Sequence, residues 1–218
     1  APQGTVAGVS GFQVHIGQGE VKTPGDYCDV LVAMNPAALM ANAKWAKPGA
    51  SIILDLDAFD EKSMQKAGFK TMDPITTLTK ESLKDSGLDQ KAMVRSKNMF
   101  TLGMCYFMFS RPLHFTEKYL EKKFAKKPDL IAPNKKVLND GYNYASNVHA
   151  IGNTYRIEPA EQAPGVYRNI SGNQATAWGL LAASEKSGRP LFCGSYPITP
   201  ATAILEELAI HKELGAKT

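Results

Sequence analysis

The sequence VLVAMNP, residues 30–36, decides the fold that we predict for the first part of this chain. Its first five residues are a short apolar run, which is typical of a strand buried in a parallel sheet. Asn35 suits a helix N-cap and Pro36 suits the first helical turn. A second apolar run, SIILD at residues 51–55, completes a strand–helix–strand unit. The predicted fold class is therefore α/β.

Further elements are expected close to this unit. The helix after Asn35 is predicted to continue to Lys47, because Pro48 and Gly49 then stop it. Upstream, residues 12–16 alternate apolar and polar side chains, as a half-buried strand does. Downstream, the sequence predicts a short helix at residues 61–67 and a strand at residues 69–72.

The pattern becomes helical after residue 98, since apolar side chains then recur every three or four positions. Three helices are predicted here: one from Asn98 up to Arg111, one at residues 116–124 and one at residues 134–150.

A second α/β domain is predicted after residues 151–167, a stretch with several Pro and Gly residues that is typical of a linker. Its elements are a short strand at 167–171, a helix of small residues ending near Gly188, a strand at 191–192 and a last helix after residue 202. The predicted layout is a first domain at 1–150, a linker at 151–167 and a second domain at 168–218. Because the chain begins without Met and stops one helix after its last strand, we expect a piece of a longer protein.

Composition narrows the classes of protein. The net charge of the 218 residues is +4, from 25 basic and 21 acidic side chains, which is too weak to indicate nucleic-acid binding. No apolar run reaches the about 20 residues that a membrane span needs. Cys28, Cys105 and Cys193 lie far apart and match no zinc or iron–sulfur spacing. We therefore expect no metal site in this chain, and free thiols in a reducing cytoplasm.

One segment is strongly basic, and two interpretations of it stay open. Its lysines are Lys118, Lys122, Lys123, Lys126 and Lys127, interleaved with Tyr119, Leu120 and Phe124 at helical spacing. The main expectation is a solvated helix face whose lysines suit the negative C-terminal end of the helix dipole. The alternative is a docking surface for an acidic partner or an anionic ligand.

Two local motifs indicate chemistry only weakly. The sequence NDG at residues 139–141 falls inside a helical pattern and lacks the leading glycine of the Gly-Asp-Gly that holds magnesium diphosphate in thiamine enzymes. Asp55, Asp57 and Asp60 follow a strand and could bind a metal, but an acidic, solvated loop is the expected structure. The chain contains no phosphate-binding loop of the GxxxxGK type.

The strongest candidate site is the sequence GSYPITPAT, residues 194–202, which joins an apolar strand to an amphipathic helix. A strand-to-helix corner of this kind presents backbone N–H groups and a hydroxyl to a ligand. The structural alternative is helix capping, with Thr199 and Pro200 starting this helix and Asn173 capping the one before it. Capping and binding are compatible, because helix N-termini bind anions and polar ligands.

Several stretches resemble the α subunits of 2-oxoacid:ferredoxin (acceptor) oxidoreductases. They are YRNISGNQA at 167–175, GLLAA at 179–183 and GSYPITPAT at 194–202 with ILEEL at 204–208. In the first domain, KNMFTLG at 97–103 and RPL at 111–113 resemble the helical end of the γ domain that some of these α subunits carry at their N-terminus. Those fused subunits are usually 2-oxoglutarate oxidoreductases.

The resemblance implies the fold in more detail. Residues 1–150 would form a Rossmann-like γ domain with a helical C-terminal part, its N-terminal part missing. Residues 168–218 would be the truncated start of the pyrimidine-type α/β domain of a thiamine enzyme.

The resemblance also implies an enzyme. It would convert a 2-oxoacid, expected to be 2-oxoglutarate, into an acyl-CoA by oxidative decarboxylation and pass the electrons to ferredoxin. A β subunit would hold most of the thiamine diphosphate with its Mg²⁺ and would bear a [4Fe-4S] cluster, while coenzyme A would be a co-substrate. We expect a cytoplasmic hetero-oligomer with no nucleic-acid or membrane partner.

By the same resemblance, Tyr196, Pro197, Ile198 and Thr199 would contact the reacting end of the thiamine cofactor. Thr199 would be catalytic, because its hydroxyl would be a donor placed in advance for the substrate carboxylate or oxyanion. No metal ligand is assigned to this chain. The alternative function is a non-catalytic α/β assembly module that docks partner subunits.

Overall fold

The computed structural model describes residues 9–59, 73–148, 153–196 and 198–211, together with the backbone of residues 216–217. The chain divides into two compact units, Ala1–Glu161 and Gln162–Thr218. In the first unit the elements are β1 (Cys28–Ala33), α1 (Pro36–Asn42), β2 (Ala46–Leu54), α2 (Ile75–Ser82), α3 (Gln90–Arg95), α4 (Lys97–Met108), α5 (His114–Lys123) and α6 (Ile131–Val148). In the second unit they are α7 (Gly172–Ser187), β3 (Leu191–Phe192), α8 (Thr202–Ile210) and β4 (Ala216–Lys217).

The predicted strand–helix–strand unit is confirmed. Strands β1 and β2 are parallel, with Val30 opposite Ser51 and Ala33 opposite Leu54. Asn35 caps α1, since its Oδ1 accepts a 2.8 Å hydrogen bond from the Ala38 backbone N–H. The chain is therefore a mixed α/β protein, as predicted.

The first helix is shorter than predicted. It ends at Asn42, a single 3₁₀ turn follows, and β2 already begins at Ala46. Pro48 and Gly49 lie inside that strand, where the register with β1 is irregular. Gly49 has a φ of +81°, so the Pro-Gly pair forms a kink in the strand and does not end a helix.

The strand predicted at residues 12–16 is wrong. This stretch is irregular, and the Phe12 side chain is 93% exposed. Gln13 instead bonds the carbonyls of Pro24 and Gly25, and His15 Nδ1 bonds that of Thr23. In the described part of the chain no strand pairs with it, so the alternating pattern has no sheet face to bury. The elements predicted at 61–67 and 69–72 lie outside the described residues.

The three long helices predicted after residue 98 are confirmed with shifts of one to three residues, as α4, α5 and α6. Helices α4 and α6 form the centre of the first unit. Their core side chains include Phe100, Met104, Met108, Val137 and Ala145. Helices α2 and α3 were not predicted, since each is only six to eight residues long.

The second unit is small. Ala177 and Leu181 of α7 pack with Leu208 of α8, and β3 pairs in parallel with β4 over two residues. The strand predicted at 167–171 is wrong, because these residues bind elsewhere: Tyr167 donates to the Ala163 carbonyl and Arg168 stacks on Trp178 at 5.1 Å.

The division between the two units falls within the stretch predicted as a linker, and its described part contains no helix or strand. The domain assignment itself stays a prediction. Within the described ranges, no helix is both long enough and apolar enough to cross a lipid bilayer.

Candidate functional site

The candidate site is the corner between β3 and α8, residues 194–201. The side chains of Tyr196 and Ile198 are 68% and 47% exposed, and Thr199 and Pro200 are exposed as well. Pro197 lies outside the described residues. The corner thus exposes a hydroxyl, as the sequence predicted, together with an aromatic and an aliphatic side chain.

Capping does not occupy Thr199, contrary to the structural alternative from the sequence. The N-cap of α8 is Ala201, and the first turn closes when the backbone N–H and the hydroxyl of Thr202 both bond the Ile198 carbonyl, at 3.1 and 3.2 Å. Within the described part of the chain, no hydrogen bond involves the Thr199 hydroxyl. It is therefore available to a ligand.

Asn173 holds the corner from the start of α7. Its Nδ2 donates a 2.8 Å hydrogen bond to the carbonyl of Pro200, which is 27 residues away in sequence. The prediction that Asn173 caps α7 is wrong: the cap is Ser171, whose hydroxyl accepts from the Gln174 N–H at 3.2 Å. Ser171 leaves the Asn173 side chain available for this long-range bond.

Glu207 connects α7 to α8, and the sequence reasoning missed it. Its carboxylate accepts hydrogen bonds from Gln174 at 3.1 Å and from Trp178 at 2.7 Å, and His211 lies 3.4 Å away. These bonds, those from Gln174 and Trp178 foremost, hold the pKa of Glu207 below its usual value. The one available signal was an acidic pair, Glu206 and Glu207, within an otherwise apolar helix.

Asp55 and Asp57, which follow β2, accept hydrogen bonds from the start of α2. Asp55 is fully buried and accepts from the N–H and the hydroxyl of Thr76 and from Lys97 Nζ, at 3.0, 2.6 and 3.1 Å. The solvated loop that the sequence predicted is therefore wrong for Asp55, while Asp57 is exposed and Asp60 lies outside the described residues. In the described ranges no group of three or more His, Cys, Asp or Glu side chains could hold a metal.

The donor set of the corner suits one end of a thiamine cofactor. It offers one neutral hydroxyl, an aromatic ring and an aliphatic side chain, all exposed. Such a surface can pack against a planar ring and donate a hydrogen bond to a nearby substrate anion. The NDG motif at 139–141 lies inside α6, so it forms no loop for a diphosphate.

Comparison with known proteins identifies the family of the chain. The chain matches the family described as pyruvate ferredoxin/flavodoxin oxidoreductase over residues 4–144. It is 42% identical, over 233 aligned positions, to the 2-oxoglutarate oxidoreductase subunit KorA of Mycobacterium tuberculosis (strain ATCC 25618 / H37Rv), covering 100% of this chain and 36% of that protein.

A solved structure is similar as well. The 2-oxoglutarate:ferredoxin oxidoreductase from Magnetococcus marinus, with 2-oxoglutarate, coenzyme A and succinyl-CoA bound, superposes with a TM-score of 0.66 at 26% identity. The match covers 91% of this chain and 32% of that one. The chain therefore spans about a third of the length of the relatives it matches.

Proposed function

This chain belongs to the pyruvate ferredoxin/flavodoxin oxidoreductase family, and we propose that it is part of a 2-oxoglutarate:ferredoxin oxidoreductase. The reaction is the oxidative decarboxylation of the 2-oxoacid to an acyl-CoA, with the electrons passed to ferredoxin. The observation that carries the proposal is the likeness to KorA along the whole chain. Because that likeness extends over about a third of KorA, the activity belongs to the assembled enzyme.

Within this enzyme the two units have different roles. Residues 1–150 are the γ domain, 151–167 the linker, and 168–218 the start of the pyrimidine-side α domain. A β subunit holds the diphosphate and Mg²⁺ end of the cofactor and a [4Fe-4S] cluster. The three free cysteines, Cys28, Cys105 and Cys193, support a reducing compartment such as the cytoplasm.

The corner forms one wall of the active site. When bound, thiamine diphosphate supplies the decarboxylation and the release of electrons. Thr199 donates a hydrogen bond to the substrate carboxylate or to the developing oxyanion, and its exposed, uncapped hydroxyl supports this role. Tyr196 and Ile198 contact the reacting end of the cofactor with their exposed surfaces. Pro197 is included on the sequence motif alone.

The test uses the full-length protein in complex with its β subunit. Turnover is measured as 2-oxoglutarate- and coenzyme A-dependent reduction of ferredoxin. Since removal of one oxyanion donor typically costs about 10²–10³ in kcat, Thr199→Ala should lose about that much, and Thr199→Ser should retain most of the activity.

Thr176→Ala is the matched control, because the Thr176 hydroxyl is exposed and bonds only the Gly172 carbonyl of its own helix. It should behave as the unmodified enzyme does. Full turnover by Thr199→Ala would remove the catalytic role of Thr199. No reduction of ferredoxin by the unmodified complex would refute the proposed function. The alternative of a non-catalytic assembly module gains no support from the relatives, both of which are oxidoreductases or their subunits.

A further inference from the structure

Helix α5 and the residues after it present a strongly basic surface. We define the lysine surface as the exposed residues Phe115, Lys118, Tyr119, Lys122, Lys123, Lys126 and Lys127. In the part of the chain that the structure describes, none of these lysines lies within 4.0 Å of a carboxylate oxygen. Other lysines of the first unit do form such pairs, among them Lys47, Lys97, Lys135 and Lys136.

The acidic residues of α5 face the opposite side of the helix. Glu117 accepts a hydrogen bond from Asn139 at 2.9 Å, and Glu121 accepts one from Lys135 at 2.6 Å, both from α6. The bond and the charge of Lys135 hold the pKa of Glu121 below its usual value. Both carboxylates thus bond α6, although the Glu121 side chain stays 54% exposed, and the lysines of the lysine surface face solvent.

Solvation alone does not account for this arrangement. Lys118 and Lys122 lie four residues apart in α5, where like charges destabilise a helix by a few tenths of a kcal/mol, on the order of 0.2–0.5. The helix dipole favours cations only in the last turn, so it explains Lys122 and Lys123 but not Lys118. Within the described residues, the five lysines form no salt bridge, and such a positive surface is what an acidic partner requires.

The aromatic residues favour a protein as that partner. Phe115 and Tyr119 are 67% and 56% exposed, one helical turn apart, and Lys123 Nζ lies 5.4 Å from the centre of the Tyr119 ring. Aromatic side chains surrounded by charges are typical of the centre of a protein interface. Leu120 is already buried, so Phe115 and Tyr119 form a narrower apolar surface than a helix lays on a membrane, and a net charge of +4 is weak for nucleic acid.

We propose that the lysine surface is the docking site of a small acidic electron-carrier protein, a ferredoxin, which receives electrons from the enzyme proposed above. The inference rests on that proposed function. A small, highly charged surface with only two aromatic residues fits a weak, transient encounter that electrostatic attraction accelerates, and not a permanent subunit contact.

The test compares two electron acceptors with the assembled enzyme. Lys122→Glu/Lys126→Glu should lower kcat/KM for the ferredoxin of the source organism about tenfold or more at low salt, because steering contributes about 10–10³ to association rates. The difference should shrink as ionic strength rises. Reduction of the small dye methyl viologen with 2-oxoglutarate and coenzyme A should stay unchanged, since the dye needs no protein docking.

The matched control is Lys84→Glu/Lys91→Glu, two exposed lysines of the same unit outside the lysine surface. It should leave both acceptors unaffected. If both double variants lower ferredoxin reduction equally, the effect is one of net charge and the docking site is refuted. Circular dichroism checks that each variant folds. If Lys122→Glu/Lys126→Glu does not fold, Lys122→Gln/Lys126→Gln is used in its place.

Zero-length carbodiimide cross-linking gives a second measurement. It joins a lysine amine to a carboxylate in direct contact, so cross-links from the lysine surface to ferredoxin are expected. Two results would overturn the docking site: cross-links formed only elsewhere on the enzyme, or ferredoxin kinetics unchanged by Lys122→Glu/Lys126→Glu. Dye reduction would still support the proposed function in either case. Absence of dye reduction in the unmodified enzyme would refute the proposed function itself. Binding to phosphatidylserine vesicles or duplex DNA that the variant loses, with ferredoxin kinetics unchanged, would assign the surface to those partners instead.

Discussion

Asp55 and Asp57 lie at the end of β2 and bind the first turn of α2, whose own N-cap, Pro74, contributes no side-chain hydrogen bond. Asp55 accepts from the N–H of Thr76, and Asp57 accepts from that of Thr77 at 2.7 Å. Carboxylates at a helix N-terminus satisfy free N–H groups and interact favourably with the helix dipole. The residues that follow β2 therefore cap the start of α2, about 20 residues later in the sequence.

Replacement of these two aspartates should have unequal effects. Asp55→Asn turns an amide N–H₂ toward buried donors and leaves Lys97 without its charge partner, so we expect a loss of about 3 kcal/mol in the free energy of unfolding. Asp57→Asn is the control, because its amide oxygen can still accept at an exposed position, and it should cost less than about 1 kcal/mol. Urea unfolding followed by circular dichroism measures both. Equal losses would contradict the buried role of Asp55.

The sequence could predict which residues form the candidate corner, but not what holds them in place. Tyr196, Ile198 and Thr199 are exposed at a strand-to-helix corner as expected, because that corner is encoded by local proline and threonine chemistry. The roles of Asn173 and Glu207 depend on partners 27 and 29 or more residues away. No local pattern specifies such contacts.

Between elements, α4 and α6 approach each other very closely where they cross. A Cβ atom on Gly103 would lie 2.1 Å from the Leu138 carbonyl oxygen, and one on Gly141 would lie 2.0 Å from that of Phe100. The two backbones touch because neither helix has a side chain at this point. Gly141 is the glycine of the NDG sequence at 139–141. The sequence alone offers no reason for a glycine there, since the cofactor motif is weak, and the close packing against Phe100 supplies that reason.

Gly141→Ala should therefore destabilise the first unit by about 3 kcal/mol or prevent its folding, because backbone atoms would have to move apart. Gly179→Ala in α7 is a control of opposite sign. Its Cβ would meet nothing within 4 Å, so removal of a helical glycine should stabilise the second unit by about 0.5–1 kcal/mol. Thermal unfolding of both variants gives the comparison, and a neutral Gly141→Ala would show that the helices do not cross this closely.

Elements were predictable where the signal was local. The strand–helix–strand unit and the long helices follow from apolar runs, spacing and the Asn35 cap, all of which act within a few residues. The strands predicted at 12–16 and 167–171 failed because a strand also needs a neighbour, and the pattern of one segment does not say whether a neighbour exists. Helix α2 was missed because it is short and because its N-terminal partners come from a different part of the chain.

At the scale of the whole molecule, the two units differ in how pH acts on them. In the first unit, burial raises the pKa of the Cys105 thiol to about 11, and burial together with the hydrogen bond to Asp73 raises the pKa of Tyr144 to about 12. In the second unit, the pKa of Glu207 is lowered by its hydrogen-bond donors. The stabilisation from Cys105 and Tyr144 is therefore lost in alkali, and that from Glu207 is lost in acid.

Cys105 allows the alkaline effect to be measured on its own. Its pKa of about 11 in the folded chain lies above the ordinary value of 9.0, so the unfolded chain releases this proton first as pH rises. The stabilisation is complete below pH 9 and is lost progressively up to pH 11, and two pKa units correspond to about 3 kcal/mol at most.

The free energy of unfolding of the unmodified protein, minus that of Cys105→Val, should fall by about 2 kcal/mol between pH 8 and pH 11. The subtraction removes the other groups that titrate in this range, Tyr144 among them, because they are common to both proteins. Urea unfolding followed by circular dichroism at pH 8, 9, 10 and 11 provides the values, and a difference that stays constant with pH would show that the thiol is not held protonated by burial.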